Sequence, residues 1–271
     1  MSTEPPVLLH FHGELAGLAP SAEVLYALTR RASLKDAVEA LGVPHTEVYA
    51  LFVDNRPAGF EHALAPGQRV QVLPAPEPVD VTLAQPLRPA LCEAAAPCDS
   101  GGREPASATP RRPCAIRFAA DANVGRLATW LRLLGFDTAY GRAVEDAQLA
   151  ELAAREHRVI LSRDHGLLKR KAVVWGRLIR DNDPRAQLRG VLRHFGLTPP
   201  FRTFSRCLRC NTPLTPVDKA AVLHLLQPRT KLYYEDFHHC AACGRVYWAG
   251  SHREKMEKMV VALEGWPAAL P

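Results

Sequence analysis

Four of the seven cysteines constrain the fold more than any other feature of the sequence. They form two Cys-x-x-Cys pairs separated by 29 residues: Cys207, Cys210, Cys240 and Cys243. A tight turn lets both thiolates of a pair reach one ion, and four sulfurs complete a tetrahedral Zn²⁺ site. A thioredoxin-like redox site would instead use a single pair in a βαβ unit. The spacing therefore predicts a structural zinc ribbon over residues 201–255, followed by a C-terminal tail at 256–271.

The residues beside these pairs allow two interpretations. Asn211 and Gly244 directly follow the pairs, at positions that favour a residue tolerating positive φ. Tyr247 and Trp248 come soon after the second pair and can form the core of the ribbon. The alternative is that they stack on single-stranded RNA together with the nearby arginines: Arg206, Arg209 and Arg245.

A proline-rich stretch divides the chain. Residues 74–113 hold nine prolines among small residues, so this stretch can bury little apolar surface to offset its ordering entropy. We expect a flexible linker at 79–113, an N-terminal domain at 1–78 and a second domain at 114–200. The odd cysteine total argues against a disulfide framework, so the cysteines in or beside this stretch are interpreted as incidental: Cys92, Cys98 and Cys114.

The N-terminal segment has the pattern of an α+β domain. Strand patterns occur at 7–15, 24–29, 48–53 and 69–73. Between the second and third, Ser33 is predicted to cap a helix that Gly42 ends. This ββαββ order resembles the β-grasp of ubiquitin and the small sulfur-carrier proteins. Carrier chemistry needs a free C-terminal Gly-Gly, which this segment lacks, so we expect it to dock a protein partner.

After the linker, strands and helices alternate, which predicts a mostly parallel sheet flanked by helices. Strands are expected at 116–120, 136–140 and 159–161, with one more ending at 178–179. Helices are expected at 124–134, at 146–156, in a short turn from 167, and at 184–195. The predicted fold class is therefore α/β, with the α+β domain before it and the zinc ribbon after it.

Acidic residues follow the predicted strands of this sheet. They lie at strand ends or at the start of a helix at the same edge: Asp121, Asp146, Asp164, Asp181 and Asp183. In an open parallel sheet, ligands bind outside the carboxyl ends of the strands. Carboxylates that face one point repel each other unless cations lie between them, and oxygen ligands suit Mg²⁺ or Mn²⁺. The pattern predicts metal-assisted hydrolysis of a phosphodiester.

Several of these residues also have a purely structural interpretation. Asp146 can cap its helix, and Asp183 before Pro184 is typical of an N-cap with proline at the first helical position. The basic residues near Asp164 can form a solvated face or bind an RNA phosphate backbone: Arg163, Lys169, Arg170 and Lys171.

The charge distribution favours a polyanionic partner. Residues 1–80 hold 5 Lys and Arg against 10 Asp and Glu, whereas residues 114–271 hold 25 against 15. A basic surface raises the local concentration of nucleic acid. No run approaches the roughly 18 apolar residues of a membrane helix, and no signal peptide is visible. We therefore expect a soluble cytoplasmic protein.

Three stretches resemble the Mut-seven-C RNase family of the PIN superfamily: IRFAADANVGRLATWLRLLGFDT, EDAQLAELAAREHRVILSRDHGLL and LIRDNDPRAQLRGVLRHFG. The later RCLRCNTPL and HHCAACGRVYWAGSH also resemble it, so the resemblance covers about residues 115–255. An acidic β-grasp domain ahead of the RNase unit is an arrangement that this family uses. Asn123 departs from the family pattern, which has an apolar residue two positions after the first aspartate.

The resemblance implies metal-dependent RNA cleavage at an acidic cluster. That cluster maps onto Asp121, Asp146 and Asp164 as ligands of Mg²⁺ or Mn²⁺, with a fourth acid at Asp181 or Asp183. The main functional hypothesis is a divalent-metal ribonuclease. The alternative is a non-catalytic RNA-binding or adaptor protein that uses the PIN scaffold, the zinc ribbon and the β-grasp domain. Clustered carboxylates favour the enzyme, because a pure RNA binder gains nothing from groups that repel phosphate.

Overall fold

The computed structural model describes residues 4–91 and 116–248. Within them the chain forms an N-terminal five-stranded sheet, a four-stranded parallel sheet between helices, and a three-stranded antiparallel ribbon. The predicted fold class is confirmed. No helix in these two stretches is both long enough and apolar enough to cross a membrane.

The N-terminal domain has β-grasp topology. Its elements are β1 (Val7–Phe11), β2 (Glu23–Tyr26), α1 (Leu34–Ala40), β3 (Val48–Val53), β4 (Arg56–Ala58) and β5 (Arg69–Pro74). The strand order is β2-β1-β5-β3-β4, and β1 pairs in parallel with β5 at the centre. Ser33 caps α1 in a capping box with Asp36, as its position predicts. The sequence did not predict β4, whose hairpin with β3 depends on positive φ at Asp54 and Asn55.

The second sheet is parallel throughout. The elements around it are β6 (Phe118–Ala120), α2 (Gly125–Leu133), β7 (Thr138–Tyr140), α3 (Asp146–Glu156), β8 (Val159–Ser162), α4 (His165–Leu168), β9 (Gly176–Leu178) and α5 (Pro184–His194). The strand order is β7-β6-β8-β9, and each neighbouring pair is parallel. The carboxyl ends of all four strands therefore meet at one edge of the sheet.

The apolar core lies on both faces of this sheet. Phe118 and Ala120 face the core that contains α2 and α5, whereas Ala119 faces the core that contains α3 and α4. Because successive side chains of a strand point to opposite faces, a strand buried on both sides is a continuous apolar run. This is why the strands were visible in the sequence.

The ribbon follows α5. It contains β10 (Thr215–Val217), α6 (Lys219–Val222), α7 (Pro228–Tyr233), β11 (Phe237–His239) and β12 (Val246–Trp248), with antiparallel pairing. Its own apolar core among the described residues is small: Val222, Leu226 and Phe237.

The first part of the proline-rich stretch differs from the expected flexible linker. Residues 75–91, which we call the strap, pack against the parallel sheet domain, and Val79 N donates a 2.7 Å hydrogen bond to the His194 carbonyl oxygen. Three apolar side chains of the strap are buried in the core with α2 and α5: Val79, Val81 and Leu91. Their burial offsets the ordering entropy that the prolines alone leave uncompensated. The rest of the expected linker, residues 92–113, lies outside the described residues.

Candidate active site at the carboxyl edge of the parallel sheet

Asp121 directly follows β6, and its carboxylate accepts hydrogen bonds from neighbouring groups of the protein. The residue is 7% exposed. Its Oδ2 accepts hydrogen bonds from the Ser162 hydroxyl at 2.8 Å and from the Asn123 amide at 3.1 Å. Its Oδ1 accepts from Ala122 N at 2.5 Å. Asn123, the departure from the family pattern, therefore helps to orient the Asp121 carboxylate.

Ser162 connects the two best-defined candidate acids. It is the last residue of β8, adjacent to the end of β6, and it is fully buried. Its hydroxyl donates to Asp121 and accepts from Asp164 N at 2.9 Å. Asp164 is exposed, caps α4 and accepts from Gly166 N at 2.6 Å. Sequence reasoning missed Ser162, although its place at the end of a buried strand, two residues before Asp164, was a usable signal.

The other three candidate acids have different local roles. Asp146 is the first residue of α3, but the N-cap of this helix is Glu145. Asp183 caps α5 through a 3.0 Å hydrogen bond, which agrees with its structural interpretation. Asp181 is exposed, and its backbone carbonyl accepts a 2.9 Å hydrogen bond from the Gln187 side chain.

The five acids share one edge of the sheet without forming a close group. Among the residues that the structure describes, one set of three or more His, Cys, Asp or Glu has ligand atoms within 4.8 Å of one another, and it is the cysteine set. The acids that end the strands accept hydrogen bonds from neighbouring backbone and side-chain groups instead.

An open cleft of about 770 Å³ lies at the start of α2, where Ala122 and Asn123, the two residues after Asp121, line it. Three arginines line it: Arg126, Arg142 and Arg163. Tyr140 also lines it and packs over Gly125, where an added Cβ would lie 2.4 Å from the tyrosine hydroxyl oxygen. Guanidinium groups bind phosphate oxygens with charge-assisted hydrogen bonds, so the cleft is suited to a phosphate backbone.

The structure separates the basic residues that the sequence grouped together. Arg163 lines the cleft, and Arg170 and Lys171 are exposed on the surface. Lys169 instead donates a 2.5 Å hydrogen bond from Nζ to the Glu39 carbonyl oxygen in the N-terminal domain. Arg126 and Arg142 were not selected from the sequence, because neither belongs to a run of basic residues.

The four cysteines converge at the base of the ribbon. The Sγ atoms of Cys207 and Cys243 are 3.5 Å apart, and those of Cys210 and Cys240 are 3.3 Å apart. A tetrahedral site with zinc–sulfur bonds of about 2.3 Å has sulfur–sulfur edges of about 3.8 Å. The set therefore fits a four-sulfur metal site, which leaves no coordination position for a substrate.

Tyr247 contacts the first cysteine turn. Its hydroxyl lies 3.1 Å from the Cys207 Sγ and accepts a 3.1 Å hydrogen bond from Leu208 N. Trp248 is 36% exposed and lies 6.5 Å from Phe237 between ring centroids. The tyrosine thus supports the first cysteine turn through its hydroxyl, whereas neither aromatic side chain is part of the apolar core around Phe237.

Asn211 joins the first cysteine turn to the parallel sheet. Its φ is +72°, and its side chain accepts from Thr138 N at 3.0 Å and donates to Asp137 at 2.8 Å. Partial burial raises the pKa of Asp137, but hydrogen bonds from Arg158 and Asn211, together with the positive charges of Arg158 and Arg206, hold that pKa below its ordinary value. An asparagine thus provides both the positive φ and the contact.

Arg132 strengthens the same junction from α2. This buried guanidinium donates to the carbonyl oxygens of Leu208 and Arg209 at 3.1 and 2.7 Å, and to that of Thr138 at 2.9 Å. It therefore satisfies two carbonyl groups of the first cysteine turn.

Comparison with known families identifies both parts of the chain. A family model described as Mut7-C RNAse domain matches residues 116–260. The chain belongs to the Mut7-C RNAse family. A second model, described as Mut7-C ubiquitin, matches residues 6–80, which contain β1 to β5. No curated protein and no solved structure matched the chain in the corresponding comparisons.

Membership of the Mut7-C RNAse family supports a nuclease-type role and implies RNA as the substrate. The matched RNase domain contains the parallel sheet, its acidic edge and the cysteine ribbon. The β-grasp domain is the ubiquitin-like domain that the sequence resemblance predicted.

Proposed function

We propose that this Mut7-C protein is a divalent-metal-dependent ribonuclease that hydrolyses RNA phosphodiester bonds at the carboxyl edge of the sheet. The observation that carries the proposal is the Asp121–Ser162–Asp164 arrangement beside a cleft lined by arginines. Carboxylates alone repel RNA, and guanidinium groups alone only bind it. The two together suit a site that takes both a cation and a phosphate backbone.

The carboxylate oxygens at this edge are suitable ligands for Mg²⁺ or Mn²⁺. Asp121 accepts three hydrogen bonds, whereas a carboxylate has about four lone-pair positions, so one position is left for a cation. Asp164 is exposed, and Asp146 begins a helix at the same edge. The fourth acid is Asp181 or Asp183, which both lie between β9 and α5.

The roles of the side chains follow from their contacts. A bound cation would supply water activation and stabilisation of the leaving oxygen. Ser162 orients the Asp121 carboxylate and ties it to the Asp164 backbone. Arg126, Arg142 and Arg163 bind RNA phosphates in the cleft, and Arg170 and Lys171 extend this basic surface.

We propose Zn²⁺ for the cysteine site and the cytoplasm as the location. Four thiolates are the ligand set of structural zinc sites. A reducing compartment keeps the cysteines available for the ion, because disulfides are rare there.

The proposal is tested by RNA cleavage on mixed single-stranded and structured RNA, with and without Mn²⁺. Asp164→Asn should lower the cleavage rate by orders of magnitude, while RNA binding is retained or tightened because one repulsive charge is lost. Glu151→Gln is the matched control, since it removes one exposed negative charge on α3.

Two results would contradict the ribonuclease proposal. Equal cleavage by the wild type and Asp164→Asn would place any activity outside this site. RNA binding without metal-dependent cleavage in the wild type would support the RNA-binding or adaptor alternative.

A further inference from the structure

The ubiquitin-like domain packs directly on the RNase domain beside β9. The Glu47 side chain is fully buried and accepts hydrogen bonds from Leu178 N at 2.7 Å and from Arg177 at 3.0 Å. Arg177 also pairs with Glu14 at 2.6 Å. A buried carboxylate is costly without its partners, so these contacts favour one arrangement of the two domains.

A glycine in β9 allows the two domains to approach each other closely. A Cβ at Gly176 would lie 2.7 Å from the Leu168 Cδ2 and 3.2 Å from the Thr46 Cγ2, so glycine lets the ubiquitin-like domain reach β9. His45 Nε2 donates a 2.8 Å hydrogen bond to the Val173 carbonyl oxygen.

The strap closes the same interface. Arg88 donates hydrogen bonds to the carbonyl oxygens of Thr46 and Val48, and its guanidinium carbon lies 5.0 Å from the centroid of the Trp175 ring. Burial lowers the pKa of Arg88 to about 10, which leaves it protonated at neutral pH. Trp175 Nε1 in turn donates to the Pro89 carbonyl oxygen at 3.2 Å.

The interface reaches α4, which Asp164 caps. His165 Nδ1 donates a 3.0 Å hydrogen bond to the Gly42 carbonyl oxygen, and Lys169 Nζ donates to that of Glu39 at 2.5 Å. These contacts lie at the first residue of α4 and at its C-cap. Because isolated helices of this length are unstable in water, its position depends on contacts outside the helix, which are the burial of Leu167 and Leu168 in the sheet core and these two hydrogen bonds.

The interface also reaches the loop after β9. Arg180 directly precedes Asp181 and donates a 3.3 Å hydrogen bond to the Glu14 carbonyl oxygen. Its guanidinium lies 3.7 Å from carboxylate oxygens of both Glu14 and Glu47. Both acid-bearing loops on this side of the sheet are therefore tied to the ubiquitin-like domain.

We propose that the ubiquitin-like domain takes this chain's own RNase domain as its partner and acts as a positioning part of the acidic site. It holds α4 and the loop after β9, and through them Asp164 and Asp181. The catalytic part of this inference rests on the proposed ribonuclease function. The surface around Glu39, Gly42 and Glu47 is occupied within the chain, so that surface is closed to a second protein.

The test compares Lys169→Met with Lys171→Met in the full-length chain. Both variants remove one positive charge from the segment that follows α4, but only Lys169 contacts the ubiquitin-like domain among the contacts described. Lys169→Met should speed amide hydrogen exchange at Leu168 and Lys169 by about tenfold, as expected for one lost charge-assisted hydrogen bond. Lys171→Met should leave exchange at the wild-type rate and should weaken RNA binding more than Lys169→Met does, because Lys171 belongs to the exposed basic surface.

Kinetics separate positioning from RNA binding. Lys169→Met should lower kcat for RNA cleavage about tenfold, a larger change than the one in KM. Lys169→Arg retains a hydrogen-bond donor, so kcat and the slow amide exchange should both return to wild-type values. A second pair is Glu14→Gln, which weakens the contact with Arg177 and Arg180, and Glu23→Gln, which changes an exposed carboxylate paired with His10.

The outcomes are distinguishable. Identical exchange and an identical kcat for Lys169→Met and Lys171→Met would overturn the positioning role. If the wild type does not cleave RNA, the proposed function fails, and faster exchange in Lys169→Met would still support the intramolecular docking. Wild-type exchange in both Lys169→Met and Glu14→Gln would overturn the docking itself.

Discussion

The cysteine site and the acidic edge differ in how closely their candidate ligand atoms lie to one another. The four sulfurs converge within 4.8 Å beside a small apolar core. The carboxylates end strands of a well-packed sheet, where Asp121 and Asp164 accept hydrogen bonds from Ser162, Asn123 and backbone N–H groups. From this comparison we expect the ribbon to need its ion to fold, whereas the sheet should fold without one and the proposed Mg²⁺ or Mn²⁺ should serve only RNA cleavage.

Zinc removal should give the largest effect. Structural zinc binding supplies roughly 10–16 kcal/mol of folding free energy in small zinc domains. Cys240→Ser should therefore abolish the bound zinc, measured by elemental analysis as about one ion per chain in the wild type, and unfold the ribbon. Amide exchange should show the parallel sheet still protected. A protected ribbon in zinc-free protein would contradict the first half of the comparison.

Mn²⁺ should raise the free energy of unfolding without changing the secondary structure. At a hundredfold excess over its dissociation constant, a ligand of the folded state adds about 2.7 kcal/mol to the free energy of unfolding. Thermal unfolding should show this gain in the wild type and lose it in Asp164→Asn, with unchanged far-ultraviolet circular dichroism. A sheet that folds only after Mn²⁺ is added would break the contrast with the cysteine site.

The two linked acids should differ in their structural cost. Asp121→Ala leaves the buried Ser162 hydroxyl without its acceptor, which costs about 1–3 kcal/mol. Asp164→Ala removes an exposed helix cap, which costs about 1 kcal/mol. Urea denaturation of both variants without metal measures the difference. A larger loss for Asp164→Ala would show that Ser162 does not organise the edge around Asp121.

The smallest expected effect concerns the junction between the two regions. Asn211→Gly keeps the positive φ but loses the hydrogen bonds to Thr138 and Asp137, so stability should fall by about 1 kcal/mol. Zinc content should stay at the wild-type level. Loss of zinc in this variant would show that the cysteine turn depends on the sheet and is not assembled by its own ligands.

Local patterns account for most of what the sequence predicted. The capping positions of Ser33 and Asp183 follow from side chains that satisfy the N–H groups of the next turn. The parallel sheet follows from apolar runs that alternate with helices. By contrast, β1 ends at Phe11, short of the predicted 7–15, because a 3₁₀ turn at Gly13–Gly17 takes the chain toward the interface.

Contacts between distant residues explain what the sequence missed. The strap has the composition of a linker, and only the core beside α2 and α5 makes Val79 and Val81 buried residues. Lys169 has the appearance of an RNA ligand within a basic run, but a carbonyl group 130 positions away in the sequence accepts its hydrogen bond. Arg126 and Arg142 share a cleft only after the sheet has formed.

The sequence by itself determined most elements of the two sheet domains, the sulfur ligand set and the edge at which acids gather, since periodicity, spacing and strand ends are local properties. Only the tertiary structure decided which acids are linked through Ser162 and which arginines face the cleft. It also decided that the ubiquitin-like domain contacts the RNase domain through Glu14 and Glu47. Those outcomes depend on burial and on contacts between residues far apart along the chain, and no local sequence pattern specifies such contacts.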